Sequence, residues 1–269
     1  MMSIIGHVAV NVFKESVRDK VLYNLVAFAT LLIAVSYLLG QLTAGQDVKI
    51  IKDLGLAAIA TFGLLIAVFI GIGLVWKEVE RRSIYSLLSK PIHRYEFILG
   101  KYAGLAITLF VNVAVMTVAF YTVLAYVSTQ FSENVRAAWP APAADPAMLR
   151  AIALIFLELL LVTAIALFFS TFSSPFLSAA LTFGLWVIGH FNADLRNFEA
   201  VVESRPAAYL ARGLYYVLPN FAAFDIKTQV VHALPVPASY VVATAAYAIV
   251  YIALLLTAAV VVFSRKDFK

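Results

Sequence analysis

A densely charged segment between two long apolar runs places the strongest constraint on how this chain can fold. Residues 74–102 read LVWKEVERRSIYSLLSKPIHRYEFILGKY, and mainly apolar stretches lie on both sides. Ionised side chains lose their hydration in hydrocarbon, so a segment this charged is expected outside the bilayer. The pattern therefore predicts an extramembrane connection between two membrane spans. We call this connection, residues 77–97, the elbow.

Composition supports a membrane protein. Hydrophobic residues make up 63% of the chain and charged residues 13%, and the mean hydropathy is +0.94. A soluble domain is about one-quarter charged. The 269 residues suffice for about six spans with short loops. We predict an all-α polytopic membrane protein, residues 1–269, organised as a single transmembrane domain.

Six apolar segments account for the predicted spans. They are residues 21–41, 54–76, 97–127, 147–172, 176–191 and 238–263. We expect residues 42–53 to form a short polar loop. In the second span, Gly63, Ala67 and Gly71 recur at every fourth position, a spacing that lets another helix approach closely. Within the elbow, Pro91 is expected to interrupt one helix and start a short amphipathic one over residues 91–101.

Two further regions are expected to lie at the membrane surface. Residues 1–20 carry apolar side chains on one helical face and polar ones on the other, which predicts an N-terminal interfacial helix. Residues 192–237 are strongly aromatic and apolar, as segments at the headgroup level are. Pro219, Pro235 and Pro237 interrupt this region.

The distribution of positive charge predicts the orientation. Six spans place both termini on one side. With the termini and the elbow inside, 12 of the 20 Lys and Arg residues fall on the inner side and 8 on the outer. Cytoplasmic loops carry the excess of positive charge, so the termini and the elbow are expected in the cytoplasm. The net charge of +5 is modest, and we expect no nucleic-acid partner.

No motif in the chain points to chemistry of its own. The phosphate-binding pattern G-x-x-x-x-G-K-[ST] does not occur: Gly100 and Lys101 are followed by Tyr102. The chain is therefore predicted to bind no ATP in a P-loop. Cys is absent. Ser173 and Ser174 lack the G-x-S-x-G context of a serine nucleophile, and no catalytic residue, cofactor site or metal site is predicted.

Two polar positions in the spans admit alternatives. Glu158 lies near the middle of the fourth span, where an ionised carboxylate costs about 2–3 kcal/mol. It either faces a cavity or bonds across helices in a functional role, or is protonated or paired and structural. His190 and Asp194 are four residues apart at the end of the fifth span. A helix-end hydrogen bond explains them better than a metal site.

The elbow resembles a known family. Residues 78–101, EVERRSIYSLLSKPIHRYEFILGK, are similar to the signature loop of permease subunits in type-2 ABC exporters. Within that superfamily they resemble the branch that includes the permease of the nitrous-oxide-reductase maturation system. Three weaker segments fit the same branch: residues 13–25 (FKESVRDKVLYNL), residues 215–227 (YYVLPNFAAFDIK) and the basic tail after the last span.

The resemblance implies a division of labour. Such a permease forms a homodimer in the bacterial inner membrane, and two copies of a separate ATPase, which binds ATP and Mg, attach from the cytoplasm. A coupling helix in the elbow would enter a groove of the ATPase, and the segment 192–237 would form re-entrant helices at the outer exit. The implied ATPase contacts in the elbow are Glu78, Arg81, Tyr85, Ser86, Leu87, Leu88, Ser89, Lys90, Pro91, Ile92, His93 and Arg94. The N-terminal helix would add Lys14, Glu15 and Arg18.

The resemblance also implies a route at the dimer axis. Its candidate residues are Phe62, Phe69, Glu158 and Phe183. The cargo is not readable from this apolar lining, and some relatives transmit force to periplasmic or envelope proteins without moving a cargo. Two other functions stay open: an ion-coupled or stand-alone transporter, for which Glu158 alone is thin support, and an intramembrane enzyme, for which we find no constellation of reactive groups.

Overall fold

The chain folds as a bundle of α-helices. The computed structural model describes residues 4–41, 47–80, 93–191 and 205–265, with backbone only for residues 47, 73–80, 205–208, 210 and 211. It is 85% helical and has no strand in the described residues. The all-α prediction is confirmed.

Ten α-helices occur in the described residues. They are α1 (Ile4–Ser16), α2 (Lys20–Gln41), α3 (Asp47–Glu80), α4 (Arg94–Gln130), α5 (Glu133–Ala137), α6 (Met148–Ser170), α7 (Pro175–His190), α8 (Arg205–Val217), α9 (Lys227–Val231) and α10 (Ala238–Ser264). A short 3₁₀ turn, Ala222–Phe224, precedes α9. Among the described helices, α2, α3, α4, α6 and α10 are long and apolar enough to cross a membrane, and α7 is a shorter apolar helix. These six correspond to the six predicted spans.

The predicted loop before the second span is wrong for residues 47–53. Helix α3 begins at Asp47, and Val48, Ile51 and Lys52 are buried at helical spacing while Asp53 is exposed. The polar composition of this stretch suggested a loop. These residues instead form the amphipathic start of α3, and the buried face of this helix start includes Lys52.

Helix α4 also begins differently from the prediction. It runs without a break from Arg94 to Gln130, so the short amphipathic helix expected over residues 91–101 is wrong from Arg94 onward. Charged residues at its start suggested a separate surface helix. The fully buried Lys101 lies within the continuous helix.

Helix α6 is the central helix of the bundle. It contacts α3, α4, α7 and α10, and every residue from Leu161 to Leu167 is buried. Glycines in α3 allow the closest approach: a Cβ on Gly63 would lie 2.5 Å from Cδ1 of Leu159, and one on Gly71 would lie 3.0 Å from Cβ of Ala166. The expected small-residue packing of the second span is therefore confirmed.

Helix α1 packs against the beginning of α4. A Cβ added to Gly100 would lie 2.6 Å from Cβ of Val8, and one added to Gly104 would lie 2.6 Å from Cβ of Val12. Carbonyl oxygens of α1 also approach these two glycines. The absence of side chains at both positions lets the two backbones meet, as small residues do between membrane helices.

A tight turn joins α6 to α7. The Oγ atoms of Ser173 and Ser178 lie 2.7 Å apart, and Ser174 caps the first turn of α7 by accepting from the N–H of Leu177 at 3.5 Å. Pro175 occupies the first position of the helix, where its missing N–H costs nothing. Ser173 and Ser174, the two serines considered as nucleophiles, thus form hydrogen bonds at the start of α7.

We predict opposite effects for alanine at two helical glycines. At Gly184 nothing lies within 4 Å of an added Cβ, so Gly184→Ala should stabilise the protein by up to about 1 kcal/mol through helix propensity. Gly104→Ala should destabilise it by about 1–3 kcal/mol, because the methyl group overpacks the contact with α1. Thermal unfolding of both variants in one detergent measures the difference. Equal stabilisation by both substitutions would contradict the docking of α1.

Candidate functional site

Most of the predicted ATPase-contact segment lies outside the described residues. This applies to Arg81, Tyr85 and residues 86–92, and the side chain of Glu78 is likewise outside the description. His93 and Arg94 are described and mark the end of the elbow. The predicted contacts of this segment stay predictions.

The end of the elbow is fixed by hydrogen bonds at the start of α4. The backbone N–H of His93 donates to the Glu96 carboxylate at 3.0 Å, and the His93 ring stacks on Tyr95 with centroids 5.5 Å apart. The first N–H groups of a helix lack partners within it, and an acidic residue in the first turn also complements the helix dipole. The chain therefore enters α4 in a defined direction.

Arg94 ties this point to the far end of the sequence. Its Nη1 donates to the carbonyl oxygens of Phe263 at 3.1 Å and Ser264 at 2.7 Å, at the end of α10. The last carbonyls of a helix have no internal donor and lie at the negative end of its dipole. The Phe97 and Phe263 rings stack beside them at 5.7 Å. Arg94, predicted as an ATPase contact, thus binds within its own chain.

The three predicted contact residues near the N-terminus are all exposed. Lys14 and Glu15 lie on α1, and Arg18 follows it. The opposite face of α1 is packed against α4 through Val8 and Val12. The helix therefore presents its charged face away from the bundle, as the prediction requires, but no partner is present to test it.

Lys101 lies close to the same junction. It is fully buried, and its Nζ is 4.7 Å from the centroid of the Phe97 ring. A cation over an aromatic face is attracted by the ring quadrupole. The four-residue spacing of Phe97 and Lys101 on one helix face is the only signal in the sequence for this pair.

A second polar group lies inside the bundle around Glu158. This carboxyl group is 7% exposed and accepts a hydrogen bond from Nε1 of Trp186 at 2.8 Å. Nε2 of His190 lies 3.7 Å from the same oxygen. Trp186 and His190 are four residues apart on α7, so α7 presents both to α6. We call these three residues the Glu158 cluster.

A hydrogen bond to the backbone of α7 orients the His190 ring. Nδ1 lies 3.0 Å from the carbonyl oxygen of Trp186, and a carbonyl only accepts, so Nδ1 is the donor in this bond. Nε2 is therefore the ring nitrogen that faces Glu158.

The segment between α8 and α9, residues 218–226, covers the cluster. The Phe221 ring stacks on His190 with centroids 5.8 Å apart, and the Phe221 N–H donates to the Gly189 carbonyl at 3.0 Å. A Cβ on Gly189 would lie 2.5 Å from the carbonyl oxygen of Pro219. The segment after α8 thus returns to the end of α7 at a position where only glycine fits.

Three tyrosines of α10 hold the same segment. The Tyr240 hydroxyl donates to the carbonyl of Ala223 at 2.7 Å, and the Tyr251 hydroxyl donates to the carbonyl of Val217. The Tyr247 hydroxyl accepts from the N–H of Asn220 at 2.9 Å. Their spacing of seven and four residues places them on one helix face, a signal that our sequence analysis missed.

The four candidate route residues do not form one surface in this chain. Glu158 is buried, Phe62 and Phe183 are half-buried, and Phe69 is 55% exposed. Gly63 lies against Leu159, which brings the neighbouring residues Phe62 and Glu158 to a similar level of the bundle. A route at a dimer axis would need a second copy, so this prediction is untested.

Asp194 lies outside the described residues, so the expected hydrogen bond between His190 and Asp194 stays a prediction. Within the described residues, His190 contacts Glu158 and Trp186. Among the described residues there is no group of three potential metal ligands.

The arrangement described above is that of a membrane bundle with a charged connection between two of its spans. The family model described as "ABC-2 family transporter protein" matches residues 7–268 of this chain. The chain belongs to the ABC-2 transporter family. No curated protein matches the chain.

Membership identifies the chain as the transmembrane permease part of an ABC transporter, a multi-pass membrane protein. ABC-2 permeases are transport subunits that generally lack an ATP site of their own and imply an ABC ATPase partner. The missing P-loop motif in the sequence agrees with this division. In this ABC-2 permease, the functional residues are therefore expected to be those that bind a partner or change position.

We predict different effects for two substitutions of Glu158. Glu158→Gln keeps an oxygen that accepts from Trp186, so its unfolding free energy should stay within about 1 kcal/mol of the parent protein. Glu158→Ala leaves the indole N–H without its acceptor and should cost about 1–3 kcal/mol. Unfolding in mixed micelles measures both. If Gln proves as harmful as Ala, the charge rather than the hydrogen bond stabilises the cluster.

Proposed function

We propose that this permease couples ATP hydrolysis by a separate ATPase to export, or to force transmission, across the bacterial inner membrane. The elbow, residues 77–97, is the proposed attachment point, with residues 86–94 as the tip of a coupling helix. Two permeases and two ATPases form the working assembly. ATP and Mg bind in the ATPase, and the permease chain supplies no cofactor site.

The observation that carries this proposal is the anchoring of the elbow's end. Arg94 binds the last carbonyls of α10, and the start of α4 packs against α1 through Gly100 and Gly104. A connection that only joined two spans would not need to be bound at both of these helices. A point that receives force from a partner does need such fixing, because otherwise the push would move only the elbow.

The finer assignment rests on the resemblance of four segments to the branch that includes the nitrous-oxide-reductase maturation permease. On this basis we propose cytoplasmic termini, an interfacial helix over residues 1–20 and a re-entrant outer segment over residues 192–237. The hydrogen bonds that join Tyr240, Tyr247 and Tyr251 to residues 217–223 support the last of these. Periplasmic or envelope proteins are further candidate partners of the outer side.

The route is proposed at the axis between two copies. Phe69 is exposed in the single chain, which suits a residue covered by a second copy or by lipid. Phe62 and Phe183 would lie beside it, and Glu158 would act from inside the bundle.

Charges in the elbow tip should separate the permease from its ATPase. The double variant Leu88→Asp, Ile92→Asp replaces two apolar side chains that would enter the ATPase groove, and burying unpaired carboxylates is costly. We expect co-purification with the ABC ATPase partner to be lost while the permease stays folded. The control variant Val135→Asp, Leu234→Asp changes two exposed apolar residues on the outer side and should keep the ATPase. Retention of the ATPase by the elbow variant would contradict the proposed docking.

The orientation can be tested with single cysteines, because the chain has none. Ser86→Cys lies in the elbow tip, and Ser132→Cys lies at an exposed position between α4 and α5. A membrane-impermeant maleimide added to intact spheroplasts should label Cys at position 132 only. In inverted vesicles it should label position 86 only. The reverse labelling pattern would place the elbow outside the cytoplasm and contradict the proposed function.

A further inference from the structure

We propose that the outer side of this permease contains a binding site for the phosphate-bearing headgroup of an anionic phospholipid. The site is a cavity of about 200 Å³ between the start of α3, the region around α5 and α9. Its charged and aromatic lining residues are Lys49, Lys52, Phe131 and Trp139. The proposal does not depend on the ATPase or on export.

Lys52 provides the first argument. It is 2% exposed, and its ammonium group donates to the carbonyl oxygen of Pro142 at 2.8 Å. Within the described part of the chain, the Lys52 ammonium makes this one hydrogen bond, although it carries three N–H donors. A carbonyl occupies one donor but supplies no opposite charge. A buried cation in this state is costly unless an anion pairs with it.

In the described residues, no carboxylate contacts the Lys52 ammonium directly. Asp145 attracts Lys52 through its charge, but the two form no ion pair in the described residues. Asp145 accepts the N–H of Ala147 at 2.8 Å and lines a neighbouring cavity of about 370 Å³. Asp53 and Glu133 are exposed and do not line the site. The cavity wall therefore contains cations and no carboxylate.

Lys49 provides the second positive charge. It lies three residues before Lys52 on α3, so both side chains point to the same side of the helix, and both line the cavity. Two ammonium groups on one wall fit a phosphodiester, whose unesterified oxygens accept several charge-assisted hydrogen bonds. The charge of the site selects an anion.

The remaining wall favours a lipid over a small soluble anion. Val48, Val135 and Val231 are apolar, and the rings of Phe131 and Trp139 pack edge to face with centroids 5.5 Å apart. Inorganic phosphate would leave this apolar surface in contact with water, whereas the glycerol and first methylene groups of a lipid would cover it.

The level of the cavity agrees with a headgroup. The part of α3 that is long and apolar enough to cross a membrane starts at Val48, and that of α4 ends at Gln130, so Lys49 and Phe131 lie at the ends of two candidate spans. Aromatic and basic residues concentrate at this interface, where phosphates of lipids are found. The cavity is therefore placed where a lipid phosphate can enter it from the side.

Native mass spectrometry of the full-length permease in neutral detergent tests the proposal. Dioctanoyl phosphatidylglycerol and dioctanoyl phosphatidylcholine are offered together in equal amounts. We expect one phosphatidylglycerol to be retained preferentially. Lys52→Met, which keeps the apolar stem, and Lys49→Gln, at a less buried position, should each weaken this binding about tenfold, as expected for losing one hydrogen-bonded charge. Arg136→Gln removes an exposed charge from α5 outside the cavity and should change nothing.

Other outcomes would overturn the proposal. Equal retention of the two lipids would show that the cavity does not select charge. An equal loss in Arg136→Gln would indicate general attraction to the outer surface. Displacement of the lipid by millimolar inorganic phosphate would assign the site to a soluble anion. If Lys52→Met fails to fold, unchanged lipid binding in Lys49→Gln is sufficient to reject the site.

Discussion

Close contact between α3 and the central helix α6 is the interaction on which the rest of the fold depends. In hydrocarbon, helices gain little from hiding apolar side chains, so packing of complementary surfaces must hold them together. Gly63 and Gly71 provide that surface by letting Leu159 and Ala166 approach the α3 backbone. With α6 fixed in this way, α4, α7 and α10 pack around it. Glu158 is buried because it lies on this enclosed helix.

Both polar regions of the molecule follow from that central packing. At one end of the bundle, Arg94 and the contact of α1 with α4 hold the end of the elbow. At the other end, the Glu158 cluster and the tyrosines of α10 hold the segment after α8. Each region consists of hydrogen bonds between elements distant in sequence.

The sequence predicted the spans well and the burial of individual charges poorly. Long uncharged runs define membrane helices because every backbone group must be bonded inside them, and the bounds of α2 and α10 followed closely. Residues 47–53 were assigned to a loop because Lys49, Lys52 and Asp53 look like solvent-exposed residues. Nothing local distinguishes a lysine that reaches the carbonyl of Pro142, 90 residues away. The bond between Trp186 and Glu158 was equally hidden, since it depends on how two helices face each other.

The attachments of α10 have one mechanical consequence. Its last carbonyls are bound by Arg94 at the end of the elbow, and its first half carries the tyrosines that bind the segment after α8. Both attachments lie on a single helix of 27 residues, which is about 40 Å long and has continuous backbone hydrogen bonds. Such a helix resists compression. Under the proposed function, the last helix of the chain would therefore carry a displacement from one side of the bilayer to the other without a flexible joint.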